Sequence, residues 1–326
     1  MRVGRVVAIG LGVLLGIGVA GHCSGDQPRR DAVAAARAEL GVELEAGRLD
    51  AGEVELFVVQ AGPPGGAPVV LLHGFPEFWY AWKGAIAPLA QAGYRVIVPD
   101  QRGYGDSDKP RDVAAYRVDR LGDDVVGLLD ALGHERAFVV AHDWGGGVAW
   151  NVALRHPGRV RALAVLDTPH PDVELVLPQS GEDTISWYRT FFQVPWLPEQ
   201  VARWGNWRLT ADALRDTARP GAFPETKLDL YRSAWDRDGA YGTMVNWYRA
   251  AYRFADERRE PRRVAVPTLI LVAAHDAFIP ADLTRASAKL CDAGRVVELG
   301  TGTHWIAQEE PERLVAELLP FFASAP

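Results

Sequence analysis

The chain has 326 residues, 48% of them hydrophobic and 24% charged, a globular composition with length for one large domain and room for a smaller inserted one. Its net charge of −7 is spread along the sequence, which argues against the basic footprint of a nucleic-acid binder. Two cysteines, Cys23 and Cys291, imply no disulfide framework.

The first residues stand apart. MRVGR carries two arginines, and VVAIGLGVLLGIGVAGHCSG follows with no charge before Asp26. A basic start and an apolar run ending in small residues predict an export signal over residues 1–25, cleaved after Ala20 or kept as an anchor. The run is shorter than the roughly 20 apolar residues that span a bilayer comfortably. Cys23 allows a lipoprotein reading, which His22 before it fits poorly. The chain is expected to be exported, and to meet a membrane through this leader only.

Residues 26–168 are expected to form the first part of a core. Ala34–Leu40 reads as a linker or short helix, Val54–Gln60 as a strand and Gly62–Gly66 as a turn. Apolar runs follow at Pro68–His73, Tyr94–Asp100, Arg136–His142 and Val160–Asp167, and later at Pro267–Ala274 and Gly294–Leu299. Unbroken β-branched runs suit strands covered on both faces. Helical patterns at Tyr80–Gly93, Arg120–Gly133, Gly146–Pro157 and Glu309–Ala323 alternate with them, so the fold class is α/β with a mostly parallel sheet. The gap from Asp167 to Pro267 is too long for a crossover, and Trp187 to Trp247 hold 6 of the 11 tryptophans. Residues 169–261 are therefore expected to be a helical cap over one end of the sheet, with residues 262–326 returning to the core.

Chemistry gathers at the ends of the expected strands. In VVAHDWGGGVAW, Asp143 sits where strand turns into helix, with Ala141 and Gly145 two residues to either side. That is the pattern of a nucleophile elbow with aspartate in the serine position, although aspartate is also a common helix N-cap. HGFPE (His73–Glu77) follows another strand, so the N–H groups of Phe75 and Trp144 can form an oxyanion hole. Asp276 stands in HDAFIP after a later strand, and His304 in GTHWIAQEEPERL before the last helix. The order nucleophile, acid, histidine is the one this architecture uses.

HGFPE, DQRGYGDSDKP, HDWGG, HDAFIP and GTHWIAQEEP together resemble the α/β-hydrolase superfamily and, within it, the epoxide hydrolases, from about Val54 to the C-terminus. The resemblance implies the α/β-hydrolase fold with an inserted helical cap. It makes Asp143 the nucleophile, Asp276 the acid that orients the base and His304 the general base. Asp167 is the position some relatives use for the acid, and stays open as an alternative. SWYRTFFQ and VNWYRA match the family's two cap segments and make Tyr188 and Tyr248 the donors to the epoxide oxygen. Tyr231, Tyr241 and Tyr252 read as packing, His73, His142 and His275 as framework, and Phe75, Pro76 and Trp144 as substrate lining.

A serine opening an epoxide would leave an ether, which water does not readily cleave, whereas a carboxylate leaves an ester that water can hydrolyse. Expected partners are a small apolar epoxide and water, with no cofactor and no metal. The rival with the same triad is a haloalkane dehalogenase, which holds halide with the tryptophan after the nucleophile and a second donor often supplied by asparagine after HG; here that position is Phe75. Fluoroacetate dehalogenases tend to carry arginine where Trp144 stands, and a serine esterase is disfavoured by Asp143 itself. A non-enzymatic ligand-binding protein of the same fold is the remaining alternative. Natural substrate and oligomeric state are not written in the sequence.

Overall fold

The computed structural model describes residues 31–177, 187–255 and 260–325. The expected export signal, Cys23 and Ser186 lie outside the described residues. Among the described residues eight strands form one sheet: β1 (Leu44–Asp50), β2 (Glu55–Ala61), β3 (Pro68–Leu72), β4 (Arg95–Pro99), β5 (Ala137–His142), β6 (Val160–Leu166), β7 (Thr268–His275) and β8 (Gly294–Thr303), in the order β1-β2-β4-β3-β5-β6-β7-β8. From β4 to β8 every neighbouring pair is parallel; β1 and β2 pair antiparallel with each other, and β2 antiparallel with β4. All of β4 and β5 is buried, as expected where helices cover both faces.

Strand β1 was not legible as an apolar run. LEAGRLD exposes most of its side chains and exists because residues 44–50 zip onto β2 as a hairpin, from Leu44↔Ala61 to Asp50↔Glu55. Strand β8 runs four residues beyond its apolar stretch, because after an irregularity its pairing with β7 resumes at His275↔Thr303.

The helices are α1 (Ala32–Leu40), α2 (Lys83–Gln91), α3 (Val118–Ala131), α4 (Trp144–Arg155), α5 (Trp187–Phe191), α6 (Leu197–Thr217), α7 (Glu225–Trp235), α8 (Ala240–Arg253), α9 (Ala281–Ala286), α10 (Ile306–Glu309) and α11 (Pro311–Ser324). The open reading at Ala34–Leu40 is a helix, started by Asp31, whose carboxylate accepts the N–H groups of Val33 and Ala34.

Helices α5 to α8 lie between β6 and β7. Three buried groups fasten them to the sheet's loops: Trp235 Nε1 donates to the Pro76 carbonyl at 2.6 Å, Trp247 Nε1 to Arg102 at 3.0 Å, and Thr243 Oγ1 to Gly103 at 2.6 Å. Not every tryptophan of this insertion is packed. Trp207, Trp235 and Trp247 are buried, while Trp196 and Trp204 are about two-thirds exposed and Trp187 about half. Left-handed backbone at Gly205, Asn206 and Trp207 breaks α6 and turns Trp204 outward as Trp207 goes in. Tyr231 and Tyr241 are packed, but Tyr252 is 75% exposed, since the buried stretch of α8 ends at Ala250. Cys291 is buried, which pushes its thiol up to about 11. Among the described residues no helix is long and apolar enough to cross a membrane.

Candidate active site

Four acids and bases sit one residue past the carboxyl ends of parallel strands: Asp143 after β5, Asp167 after β6, Asp276 after β7 and His304 after β8, the edge at which open α/β sheets place their sites. Asp143 adopts φ 49° and ψ −123°, a conformation that non-glycine residues rarely take. Its neighbours must be small for this turn to close. A Cβ on Gly145 would lie 2.4 Å from the Leu72 carbonyl oxygen, and one on Gly74 would lie 2.5 Å from the Asp143 Cβ. Without that Cβ, the loop after β3 comes close enough for the Phe75 N–H to donate to Asp143 Oδ1 at 2.8 Å. The carboxylate also sits at the start of α4, whose positive end attracts negative charge.

His304 is buried between two carboxylates. Its Nδ1 is 2.7 Å from Asp276 Oδ2 and its Nε2 is 3.8 Å from Asp143 Oδ2. The register His275↔Thr303 makes Asp276 and His304 neighbours, and Asp276 Oδ1 is held by the N–H groups of Phe278 and Ile279 at 2.6 and 2.9 Å. Burial works to raise the Asp276 carboxyl, but the His304 charge and these hydrogen bonds outweigh it and hold it below its ordinary value. Burial likewise works to lower His304, while Asp276, Asp143 and Asp167 raise it to about 10. Asp167 is placed otherwise. Its Oδ1 accepts the Ala273 N–H at 2.7 Å, and burial, then the Asp276 charge, push it up to about 7. The acid hydrogen-bonded to His304 is therefore Asp276.

The two tyrosines converge on the same place. The ring centroid of Tyr248 is 4.8 Å from Trp144, 5.2 Å from Phe75 and 6.1 Å from Tyr188. Burial, then the Asp143 charge, raise the Tyr248 phenol well above its ordinary value, so it stays a donor at neutral pH. Tyr188 is half-buried on α5, its ring 6.2 Å from Phe278 in the Asp276 loop. Phe75 is half-buried, and Pro76 is buried, joined to it by a cis peptide bond.

The family model described as alpha/beta hydrolase fold matches residues 67–311. The chain is 39% identical over 271 residues to the AB hydrolase superfamily protein YfhM of Bacillus subtilis, covering 82% of this chain and 94% of that one. It is 36% identical over 310 residues to Epoxide hydrolase A of Mycobacterium tuberculosis, covering 84% and 95%. The crystal structure of Epoxide Hydrolase A from Mycobacterium thermoresistibile matches with a TM-score of 0.75 at 29% identity, over 87% of this chain and 99% of that one. The chain belongs to the epoxide hydrolase family of the α/β-hydrolase superfamily.

Behind the site, this epoxide hydrolase family member carries buried groups whose connections the sequence did not reveal. His73 braces the Gly74 loop as expected: Nδ1 is 3.0 Å from the Gly74 carbonyl, Nε2 accepts the Gln101 N–H, and burial lowers it to about 4. His142, read as framework, lies with its ring 4.5 Å from that of His304, and its Nδ1 is 3.2 Å from Glu77 Oε2. Glu77 is 2% exposed; burial would raise its carboxyl, but His142 and then His73 hold it low. Gln308 donates to Glu77 Oε1 and to the Tyr231 hydroxyl. Glu77 and Gln308 both lie inside quoted motifs, HGFPE and GTHWIAQEEP, yet 231 residues separate them and no local pattern joins them. His275 is exposed.

Proposed function

We propose that this protein opens small apolar epoxides to vicinal diols through a covalent ester on Asp143. The observation that carries it is the convergence of Tyr188 and Tyr248 on a carboxylate elbow, with the Tyr248 ring packed against Trp144, the residue next to the nucleophile. Residues 169–261 act as the cap that brings those phenols over the sheet.

Asp143 attacks a ring carbon, forming a C–O bond as the ring C–O bond breaks, and a proton from Tyr188 or Tyr248 meets the departing oxygen. Phe75 N–H, already on Asp143 Oδ1, stays on what becomes the ester carbonyl oxygen, with Trp144 N–H as the second donor of the oxyanion hole. Esterification also removes one negative charge that raises His304, moving the imidazole toward the neutral form a base requires. His304, held by Asp276, then takes a proton from water and the hydroxide adds to the carbonyl carbon; as the acyl C–O bond breaks, the leaving alkoxide takes the proton of the added hydroxyl, Asp143 returns to carboxylate, and the imidazolium returns its proton to the tyrosinate. Phe75 and Trp144, half-buried beside the nucleophile, with Pro76 behind them, line the apolar substrate body. The leader supports export, which fractionation of cells expressing the full chain tests: residence in the cytosol alone refutes it.

The test is incubation of wild type and Asp143→Asn with styrene oxide and 1-bromobutane, following diol and bromide together. Diol without bromide, lost in the variant, is the expected result. Bromide without diol would make the protein a dehalogenase, and neither product would favour a binding role.

A further inference from the structure

A partly buried chain of hydrogen bonds runs from helix α7 of the insertion to His142, whose ring packs against that of His304. Lys227 Nζ, on α7, donates to Gln308 Oε1 at 3.0 Å and to the Ala222 carbonyl at 2.7 Å. The other end of the same amide, Gln308 Nε2, donates to Glu77 Oε1 and, at 2.6 Å, to the hydroxyl of Tyr231, which is also on α7. Glu77 Oε2 meets His142, whose ring lies against that of His304. Gln308 sits four residues after His304, on α10. An amide's two ends cannot be exchanged freely: Oε1 must face the ammonium and Nε2 the carboxylate. Lys227 therefore sets the orientation that leaves Gln308 donating to Glu77.

Further bonds hold the same short segment. Trp305 Nε1 donates to Thr217 Oγ1 at 2.8 Å, and Arg219, just past α6, donates from its backbone N–H to Glu309 Oε1 at 2.7 Å. Glu309 Oε2 in turn accepts the N–H of Thr303, the residue before His304, at 3.1 Å. The loop bearing the candidate base is gripped by the insertion at residues 305, 308 and 309. The nucleophile's own support, Phe75 N–H on Asp143, belongs to the core.

We propose that Gln308 is a positioning residue through which Lys227 and Tyr231 of the insertion hold the Glu77–His142 pair against His304, so that the insertion governs hydrolysis of the ester separately from its formation. This rests on the reading of Asp143 as a nucleophile that forms an ester. Formation uses Asp143 and the two phenols, whereas Gln308 bonds to Lys227, Glu77 and Tyr231; breakdown uses His304, which the chain supports.

The two steps can be timed on the full-length protein by rapid quenching after mixing with styrene oxide, reading ester-bearing chain by intact mass. Gln308→Leu is expected to slow ester breakdown at least about tenfold while changing formation by less than about twofold. Lys227→Met, which leaves Gln308 in place, should act in the same direction by a smaller factor, and carries the test if Gln308→Leu does not fold. Equal slowing of both steps would mean only that the insertion has loosened and displaced Tyr188 and Tyr248, and would overturn the proposal, as would unchanged breakdown. Wild type that never carries an ester would instead refute the reading underneath it.

Discussion

His304 Nε2 stands 3.8 Å from Asp143 Oδ2, while its other nitrogen is 2.7 Å from Asp276. The first separation is too long for a good hydrogen bond, so His304 does not hold Asp143 back from the attack proposed for it, while the Asp143 charge still acts on the imidazole. Replacing His304 by glutamine should therefore leave alkylation possible and block hydrolysis. On exposure to styrene oxide the variant should accumulate one substrate equivalent on Asp143, seen by intact mass and peptide mapping, with diol turnover falling by at least about a thousandfold. Turnover near wild type would remove His304 from the reaction.

The phenols should act in parallel. Tyr188→Phe and Tyr248→Phe each remove a hydroxyl and keep a ring in an aromatic cluster, so stability should change little. Loss of one donor is expected to lower kcat/KM by roughly 10- to 100-fold, and loss of both by more than either alone. Tyr248 should matter more, since it is 8% exposed and feels the Asp143 charge first after burial. Equal activity of the double variant and wild type would make these rings packing only.

Gly74 is an explicit steric requirement. A methyl group there would meet Asp143 Cβ at 2.5 Å and Oδ1 at 2.7 Å, distances that atoms do not tolerate. Gly74→Ala should displace the carboxylate, or the loop that carries Phe75, and lower kcat/KM by about 100-fold or more. Because the clash sits at the site and not in the central sheet, Tm should fall by only a few degrees, roughly a kcal/mol. Full activity would mean that the loop can retreat without cost.

Asp167 supplies a pH test with a definite sign. Its folded value is raised to about 7 from 3.8 by burial and the Asp276 charge. Its contribution to stability is therefore fully present below the unfolded value and is lost as pH rises through about 7. Asp167→Asn keeps an acceptor for the Ala273 N–H and never ionises. The Tm of the variant relative to wild type should climb as the buffer moves from about pH 4 to above 7, by differential scanning fluorimetry. A constant difference would show that Asp167 does not titrate in that window.

Much was decided by contiguous residues, because periodicity, small-residue turns and strand ends are local properties. Runs such as PVVLL and AFVVAH are strands because no alternative buries them as well, and HDWGGG makes an elbow because Gly145 leaves room for the β3 carbonyls. The sequence by itself determined the α/β order, the carboxylate at the elbow and the phenols and histidine matched to it. It did not determine which acid is hydrogen-bonded to His304, since Asp167 and Asp276 both follow apolar strands. That was settled only by sheet register: pairing His275 with Thr303 sets Asp276 beside His304, while Asp167, one strand away, turns to the Ala273 N–H. The outward tryptophans, strand β1 and the Lys227–Gln308–Glu77–His142 chain were likewise decided by tertiary structure. Each depends on surfaces or partners brought together from distant parts of the chain, and no short-range pattern records such meetings.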